Sequence, residues 1–132
     1  FSNFKVFFYS SISNYIYLNI ISVPLRFASI FVASDVASII TQLKQLRTDL
    51  QFYSLSTLNI ESTDGHRQTR FNYLSSYHKQ LATVKLMTEL DILAQSEYVV
   101  CTFSSNICRF IQILRYAPID TVVSLDDKWF FN

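Results

Sequence analysis

Glycine and proline are scarce in this sequence, which holds one glycine and two prolines among 132 residues. Folded proteins average about 7% glycine and about 5% proline, so the content is low for an enzyme rich in loops. Because the single glycine is Gly65, no glycine-rich phosphate-binding loop is present. The two histidines and two cysteines stand at spacings that fit no common zinc-binding pattern. These low counts exclude two frequent classes of functional site.

Charge is also sparse and nearly balanced. The 11 Lys and Arg residues and 10 Asp and Glu residues give a formal net charge of +1, and no basic stripe is visible. This balance argues against a nucleic-acid-binding surface. The chain is rich in apolar residues instead: 50% are hydrophobic and 16% are aromatic. That composition excludes intrinsic disorder and allows one domain with a real core.

The first 27 residues differ from the rest in composition. Phe, Tyr, Ile, Ser and Asn dominate them, and Lys5 and Arg26 are their only charges. Residues 6–23 are long enough to cross a membrane, but their serines and asparagines would be costly in hydrocarbon. We therefore predict that residues 1–27 are a divergent or spurious extension that packs poorly, with exposed β-strands or a signal anchor as alternatives. Since the chain starts without Met and ends just after the apolar residues 129–131, we also expect a piece of a longer protein.

Downstream of residue 27, apolar runs of strand length alternate with stretches of helical periodicity. The pattern predicts a loop over 56–72 and one long helix over 73–96, with a break near Leu81 as an alternative. The predicted strands are 28–33, 50–55, 98–103 and 119–125, and the other predicted helices are 36–46 and 106–116. Such alternation is typical of an α/β fold with a parallel sheet and flanking helices.

One predicted strand, turn and helix stand out. Residues 98–103 are almost entirely apolar, as in a strand buried on both faces. Ser104, Ser105 and Asn106 follow at once, and each is a favourable N-cap for the helix after them. Such a turn presents backbone N–H groups and the positive end of a helix dipole at the carboxyl edge of a sheet, where phosphates bind readily. An ordinary buried strand followed by a capped helix, with no ligand, would also explain the pattern. Most turns between a strand and a helix bind nothing.

The residues of this stretch resemble a known family. Residues 100–109 read Val-Cys-Thr-Phe-Ser-Ser-Asn-Ile-Cys-Arg and resemble the Val-Cys-Thr-Phe-Ser-Ser-Gln-Val-Cys-Arg segment of the α-1,6-fucosyltransferases. Residues 124–131 resemble that family's Ser-Leu-Asp-Asp-Ile-Tyr-Tyr-Phe, and residues 30–35 resemble its Tyr-Leu-Ala-Thr-Asp-Asp strand end. These inverting enzymes move fucose from GDP-fucose to the innermost GlcNAc of N-glycans. Bacterial chitin-oligosaccharide fucosyltransferases are relatives.

The resemblance implies a Rossmann-like parallel sheet with flanking helices, as part of a larger glycosyltransferase fold. Residues 28–132 would be a partial donor-binding domain, which the missing N-terminal part of the same enzyme would complete. The donor would be GDP-fucose and the acceptor an N-glycan or a chitooligosaccharide-like glycan, with no metal, cofactor or nucleic acid. The family also implies the Golgi lumen, and a type II membrane protein when full length.

The same resemblance assigns roles around the turn. Ser105 matches the serine that contacts the donor's diphosphate, and Asn106 replaces the family's Gln with a shorter amide. Thr102 and Ser104 are expected to add hydroxyl donors beside it. Arg109, one turn into the helix, is expected either to contact the donor or to form an ion pair at the edge of the sheet.

Two acidic residues are candidates by position. Glu89 falls where the family has an Asp that reads guanine, and a carboxylate can accept hydrogen bonds from both guanine N1–H and the exocyclic amine. Asp35 matches the first of two acids at a strand end and is the catalytic candidate in this chain, although Val36 replaces the second acid. A solvated helix charge and a helix N-cap would explain Glu89 and Asp35, respectively, without any function.

The resemblance also implies a disulfide between Cys101 and Cys108, because the family carries bonded cysteines at both matching positions. Two buried free thiols are the alternative, since Cys is often a small core residue.

One motif of the family has no counterpart here. Nothing in residues 1–27 resembles the arginine-rich motif that neutralises the donor phosphates, and the proposed catalytic base is missing with it. We therefore expect this chain alone to be inactive as a transferase. A non-catalytic α/β remnant, or an unrelated α/β binding module, is the alternative.

Overall fold

A computed structural model describes residues 4–9, 29–34, 36, 38–55, 68–116 and 121–125, and for residues 4–9 it describes the backbone only. The strands in these ranges are β1 (Phe4–Tyr9), β2 (Ser29–Ser34), β3 (Gln51–Tyr53), β4 (Tyr98–Cys101) and β5 (Val122–Ser124). The helices are α1 (Ser38–Leu46), α2 (Gln68–Asn72), α3 (Ser76–Gln95) and α4 (Asn106–Leu114).

The strands form one sheet in the order β3-β2-β1-β4-β5, and every neighbouring pair is parallel. β1 lies at the centre. It pairs with β2 along its whole length, from Phe4 opposite Ser29 to Tyr9 opposite Ser34. On its other side, Lys5 lies opposite Tyr98 of β4. Parallel strands need crossover connections, and described helices lie between β2 and β3, between β3 and β4, and between β4 and β5, so the predicted mixed α/β class is confirmed.

The central strand is the main difference from expectation. Residues 1–27 are predicted to be an extension that packs poorly, yet residues 4–9 pair with a strand on each side. Their Phe-Lys-Val-Phe-Phe-Tyr sequence has the β-forming, mostly apolar character of a strand inside a parallel sheet. The structure therefore differs from the predicted extension at residues 4–9. Residues 1–3 and 10–28 lie outside the part of the chain that it describes.

The other elements follow the predicted alternation, mostly with shorter bounds. The predicted loop over 56–72 ends in the short helix α2, and its first part lies outside the described residues. α3 is one continuous helix of 20 residues, so no break occurs at Leu81. Its start is well defined, because the Ser75 hydroxyl accepts a hydrogen bond from the His78 N–H at 3.3 Å.

Two apolar clusters cover the two faces of the sheet. Neighbouring residues of a strand point to opposite faces, and β2 divides accordingly. Ile30 and Val32 pack in one cluster with Leu43 of α1, whereas Phe31 and Ala33 pack in the other with residues of α3 and α4. The second cluster contains side chains with 0% exposure: Leu93, Val99, Cys101, Cys108 and Ile111. It anchors α3 and α4 on one face of the sheet.

Candidate functional site

The turn between β4 and α4 lies at the carboxyl edge of the sheet. β4 ends at Cys101 and α4 begins at Asn106, so residues 102–105 make the whole connection. Within it, the Ser105 N–H donates to the Thr102 carbonyl at 2.9 Å. The chain therefore reverses tightly and enters the helix at once, as the serine-rich turn predicts.

The polar side chains of this turn differ in exposure. Thr102 is buried, with 5% of its surface exposed, whereas Ser105 is half-buried and Ser104 and Asn106 are exposed. Ser105 is the N-cap of α4, but its hydroxyl makes no capping hydrogen bond. The first N–H groups of α4 and the positive end of its dipole are therefore not neutralised by that side chain. Three of the residues predicted to contact the donor are thus at least partly exposed, whereas Thr102 is buried.

A disulfide joins the two ends of the turn. Cys101, the last residue of β4, is bonded to Cys108 in the first turn of α4, and their Cα atoms are 5.9 Å apart. That separation lies within the roughly 4.4–6.8 Å that disulfides require. Both cysteines are fully buried in the cluster that contains Leu93 and Ile111. The bond fixes the direction in which α4 leaves the sheet, and with it the direction of the N-terminal N–H groups of α4.

Side chains from two elements hold the peptide groups of Phe103. Its N–H donates to Ser124 Oγ at 3.4 Å, and its carbonyl accepts from Arg109 Nε at 2.9 Å. β5 is also tied to the end of β4, because the Leu125 N–H donates to the Cys101 carbonyl at 2.9 Å. Arg109 was predicted to contact the donor or to form an ion pair; both stay predictions, and its Nε donates to a backbone carbonyl, a contact that was not predicted. The contact of Ser124 was not predicted; the one signal was its place at the start of the 124–131 motif.

Glu89 lies on α3, at about the level of the turn. It is six residues before the end of α3 at Gln95, or about 9 Å along a helix. β4 runs back in the opposite direction over a similar distance of about 10 Å. The neighbouring Leu90 packs in the same cluster as Cys101 and Cys108. Glu89 is therefore near the carboxyl edge of the sheet rather than at its amino edge.

The carboxyl group of Glu89 is shielded from solvent. Glu89 is 7% exposed, and Lys85 Nζ lies 3.6 Å from its Oε1, one helical turn earlier. A charged group at this depth needs such a partner, since an unpaired buried charge is costly. The interpretation of Glu89 as a solvated helix charge is therefore wrong. Its predicted contact with guanine stays a prediction.

Asp35, the catalytic candidate, lies outside the described residues. Next to it, the Val36 N–H donates to Ser34 Oγ at 3.0 Å. This hydrogen bond joins the last residue of β2 to Val36.

Arg115, which the sequence did not single out, holds the opposite edge of the sheet together. Its Nη1 donates to the carbonyls of Leu93 and Ser96 at 3.0 and 2.8 Å. Its Nη2 donates to the Glu97 carbonyl at 3.1 Å and to Thr121 Oγ1 at 2.8 Å. Burial lowers the pKa of Arg115. The carbonyls at the end of α3 carry partial negative charge, so they compensate this guanidinium and explain its place there.

Other features of the described ranges do not point to a second site. In these ranges, no group of three or more His, Cys, Asp or Glu residues could hold a metal ion. None of the helices described above is long and apolar enough to cross a membrane. A cavity of about 440 Å³ lies beside β3, at the far edge of the sheet, and is lined by Lys44, Thr48, Leu50, Gln51, Phe52 and Tyr53. It shares no residue with the β4–α4 turn.

Comparison with known proteins identifies the chain. A family model described as alpha-(1,6)-fucosyltransferase N- and catalytic domains matches residues 9–130. A comparison with curated proteins finds no match. The family match covers most of the chain, including β4, the turn and α4, and confirms the resemblance carried by residues 100–109. The chain therefore belongs to the α-1,6-fucosyltransferase family.

Proposed function

We propose that this chain is the GDP-fucose-binding portion of a glycosyltransferase that transfers fucose to the GlcNAc of an N-glycan. The observation that carries the proposal is the β4–α4 turn, which has the family's Val-Cys-Thr-Phe-Ser-Ser sequence and lies within the family match. A chitooligosaccharide-like glycan is the other acceptor that we propose. The proposal needs no metal and no further cofactor.

A Rossmann-like donor domain is part of this proposal. The parallel order β3-β2-β1-β4-β5 corresponds to the first five strands of the 3-2-1-4-5-6 order of doubly wound nucleotide-binding sheets. In such sheets, ligands bind outside the carboxyl ends of the strands, where the strand order reverses. Here that reversal falls between β1 and β4, and the β4–α4 turn stands beside it. Residues 28–132 with β1 would then form the donor-binding part of a larger fold.

The diphosphate of the donor would bind at the N-terminus of α4. Ser104, Ser105 and Asn106 stand there with short side chains that can donate to phosphate oxygens beside the backbone N–H groups. Arg109 adds positive charge one turn further, which favours a departing diphosphate. Thr102 is buried, and we assign it support of the turn from below rather than direct contact.

Glu89 would read the guanine base. A carboxylate can accept from guanine N1–H and from the exocyclic amine, whereas adenine offers no N1–H. Its position near the carboxyl edge and its pairing with Lys85 support a charged carboxylate at this depth. Such charge-assisted hydrogen bonds are stronger than neutral ones, so they would favour GDP over ADP.

Two departures from the family concern catalysis of the transfer. Asp35 is the acidic residue that we assign to the reaction, but Val36 stands where the family has a second acid. Nothing in residues 1–27 resembles the family's arginine-rich motif. We therefore propose that this chain alone transfers no fucose. A non-catalytic α/β remnant is the second candidate function, and the same two departures favour it. The full-length enzyme would be a type II membrane protein of the Golgi lumen.

Isothermal titration calorimetry with GDP and ADP tests the proposal. We expect weak binding of GDP and weaker binding of ADP, because the turn is present while the arginine-rich motif is not. Folding is checked by circular dichroism on the same sample. A folded chain that binds neither nucleotide would reject the donor site and favour the non-catalytic remnant. Equal affinity for the two nucleotides would reject only the proposed role of Glu89 in reading guanine and would leave the donor site itself in place.

A further inference from the structure

We propose that Arg109 and Ser124 are positioning residues of the donor site, which they serve by clamping the peptide groups of Phe103. The inference rests on the proposed function, because it concerns how the β4–α4 turn presents its N–H groups to a nucleoside diphosphate. Neither residue needs to touch the donor for this role.

The clamp acts on both sides of one residue. The Phe103 carbonyl is bound by Arg109 Nε from α4 at 2.9 Å, and the Phe103 N–H is bound to Ser124 Oγ from β5 at 3.4 Å. The two groups belong to consecutive peptide planes, 102–103 and 103–104. Because a peptide is planar and trans, fixing the Phe103 carbonyl also fixes the direction of the Ser104 N–H. The clamp therefore sets the direction of a backbone donor in the centre of the turn.

The clamp is distinct from the contacts that stabilise the fold. Cys101 and Cys108 join the ends of the turn covalently and lie in the buried core. The 102–105 segment between them is held at its middle by Arg109 and Ser124. Loss of the clamp should therefore loosen the presentation of the turn while the strand and the helix keep their places. A donor site that needs fixed N–H directions loses affinity in that case.

The chemistry of the two side chains allows this role to be separated from charge. Arg109 uses Nε, which belongs to a rigid planar group, whereas lysine carries the same charge without a donor at that place. R109K therefore keeps the positive charge and replaces the rigid Nε donor of the clamp with a flexible ammonium group. Ser124→Ala removes the hydroxyl that accepts from Phe103, and Ser124→Thr keeps it.

The test compares GDP affinity, thermal stability and backbone hydrogen exchange across these variants of the whole chain. R109K and S124A should each weaken GDP binding by about three- to tenfold, the range that one lost hydrogen bond produces. S124T should stay within about twofold of the wild type. Exchange of the Phe103 and Ser104 amides should accelerate in S124A and R109K, with an unchanged circular dichroism spectrum. R70K and S76A, at exposed helix positions, are the matched controls and should change nothing.

Three results would overturn the inference. Wild-type GDP affinity in both R109K and S124A would reject positioning. Failure of S124T to restore what S124A loses would show that the hydroxyl is not responsible. A wild-type chain that binds no GDP would reject the proposed function and this role with it. The exchange of the Phe103 amide, measured without nucleotide, would then still report whether the clamp exists, so the two failures are distinguishable.

Discussion

The N-cap of α4 is a serine whose hydroxyl the helix does not use. An N-cap serine normally accepts a hydrogen bond from the first turn of its helix and contributes about 1 kcal/mol to stability. Ser105 has the extended backbone of a cap but no such bond. A side chain that forgoes this contact at the carboxyl edge of a parallel sheet is suited to a ligand there. Ser105 and Glu89 are the two residues on which the proposed donor site chiefly depends.

Replacing Glu89 by Gln should remove the preference for GDP. Gln keeps the size of Glu89 but loses the charge that would bind guanine N1–H and the exocyclic amine. We expect GDP affinity to fall by about tenfold or more, as for a charge-assisted hydrogen bond, with ADP affinity unchanged. Calorimetry with both nucleotides measures this. Asp91→Asn, an exposed change two residues away, is the control. An equal loss for both nucleotides would mean that Glu89 supports the fold instead.

Arg115 should be important for stability rather than for binding. Arg115→Met would remove the guanidinium hydrogen bonds to the carbonyls of Leu93, Ser96 and Glu97, at a cost of about 2–4 kcal/mol in unfolding free energy. Urea unfolding followed by circular dichroism measures the change. Arg70→Met, at an exposed position of α2, should stay within about 0.5 kcal/mol. A comparably small effect of Arg115→Met would contradict the structural role.

At the scale of elements, β4, the turn and α4 behave as one tied unit. The disulfide links the strand to the helix, Arg109 links the helix to the turn, and Ser124 links the turn to β5. These links come from three different elements, yet all of them meet within residues 101–109. The unit is thus more constrained than an ordinary connection between a strand and a helix, which suits a binding site that must keep its shape.

The disulfide within this unit should form in an oxidising compartment and contribute modestly to stability. The loop closed by Cys101 and Cys108 is short, so the chain-entropy estimate is about 2–3 kcal/mol. We expect the double variant C101A/C108A to lose about that free energy of unfolding in urea. Non-reducing mass spectrometry after unfolding should find no thiol that can be alkylated. Two alkylatable thiols would mean that the bond is absent and would argue against the Golgi lumen.

At the scale of the whole molecule, the described sheet depends on β1, whose residues belong to the segment that was predicted to pack poorly. β1 pairs with β2 on one side and with β4 on the other, so it joins the two halves of the sheet. Without it, β2 and β3 would separate from β4 and β5, because β1 is the strand that links them in the described part of the sheet. Residues 4–9 are therefore expected to decide whether the described sheet exists as a single unit.

A proline in β1 tests this directly. Val6→Pro removes an N–H and a favourable conformation from the centre of the sheet, where Val6 lies opposite Phe31 and Val99. We expect loss of cooperative unfolding and of most of the circular dichroism signal. Gln51→Pro, at the first residue of the edge strand β3, is the matched control, because proline is tolerated there. A Val6→Pro variant that folds like the wild type would restore the prediction that residues 1–27 pack poorly.

Local pattern determined much of this protein. Apolar runs and helical periodicity were enough to predict the α/β class, and the Val-Cys-Thr-Phe-Ser-Ser sequence was enough to find the turn and the family. These signals are local because the period of a strand or helix and the chemistry of a cap involve residues a few positions apart.

Only the tertiary structure decided what depends on residues far apart in sequence. The centre of the sheet came from residues 4–9, whose neighbours are residues 29–34 and 98–100, and no local pattern specifies such pairing. The clamp on Phe103 likewise joins residues 21 positions apart. Arg115 donates hydrogen bonds to backbone carbonyls. Because every residue has a backbone carbonyl, the sequence does not show which carbonyls will accept from an arginine. The sequence by itself determined the class, the turn and the family, whereas the fold decided which side chains hold that turn in place.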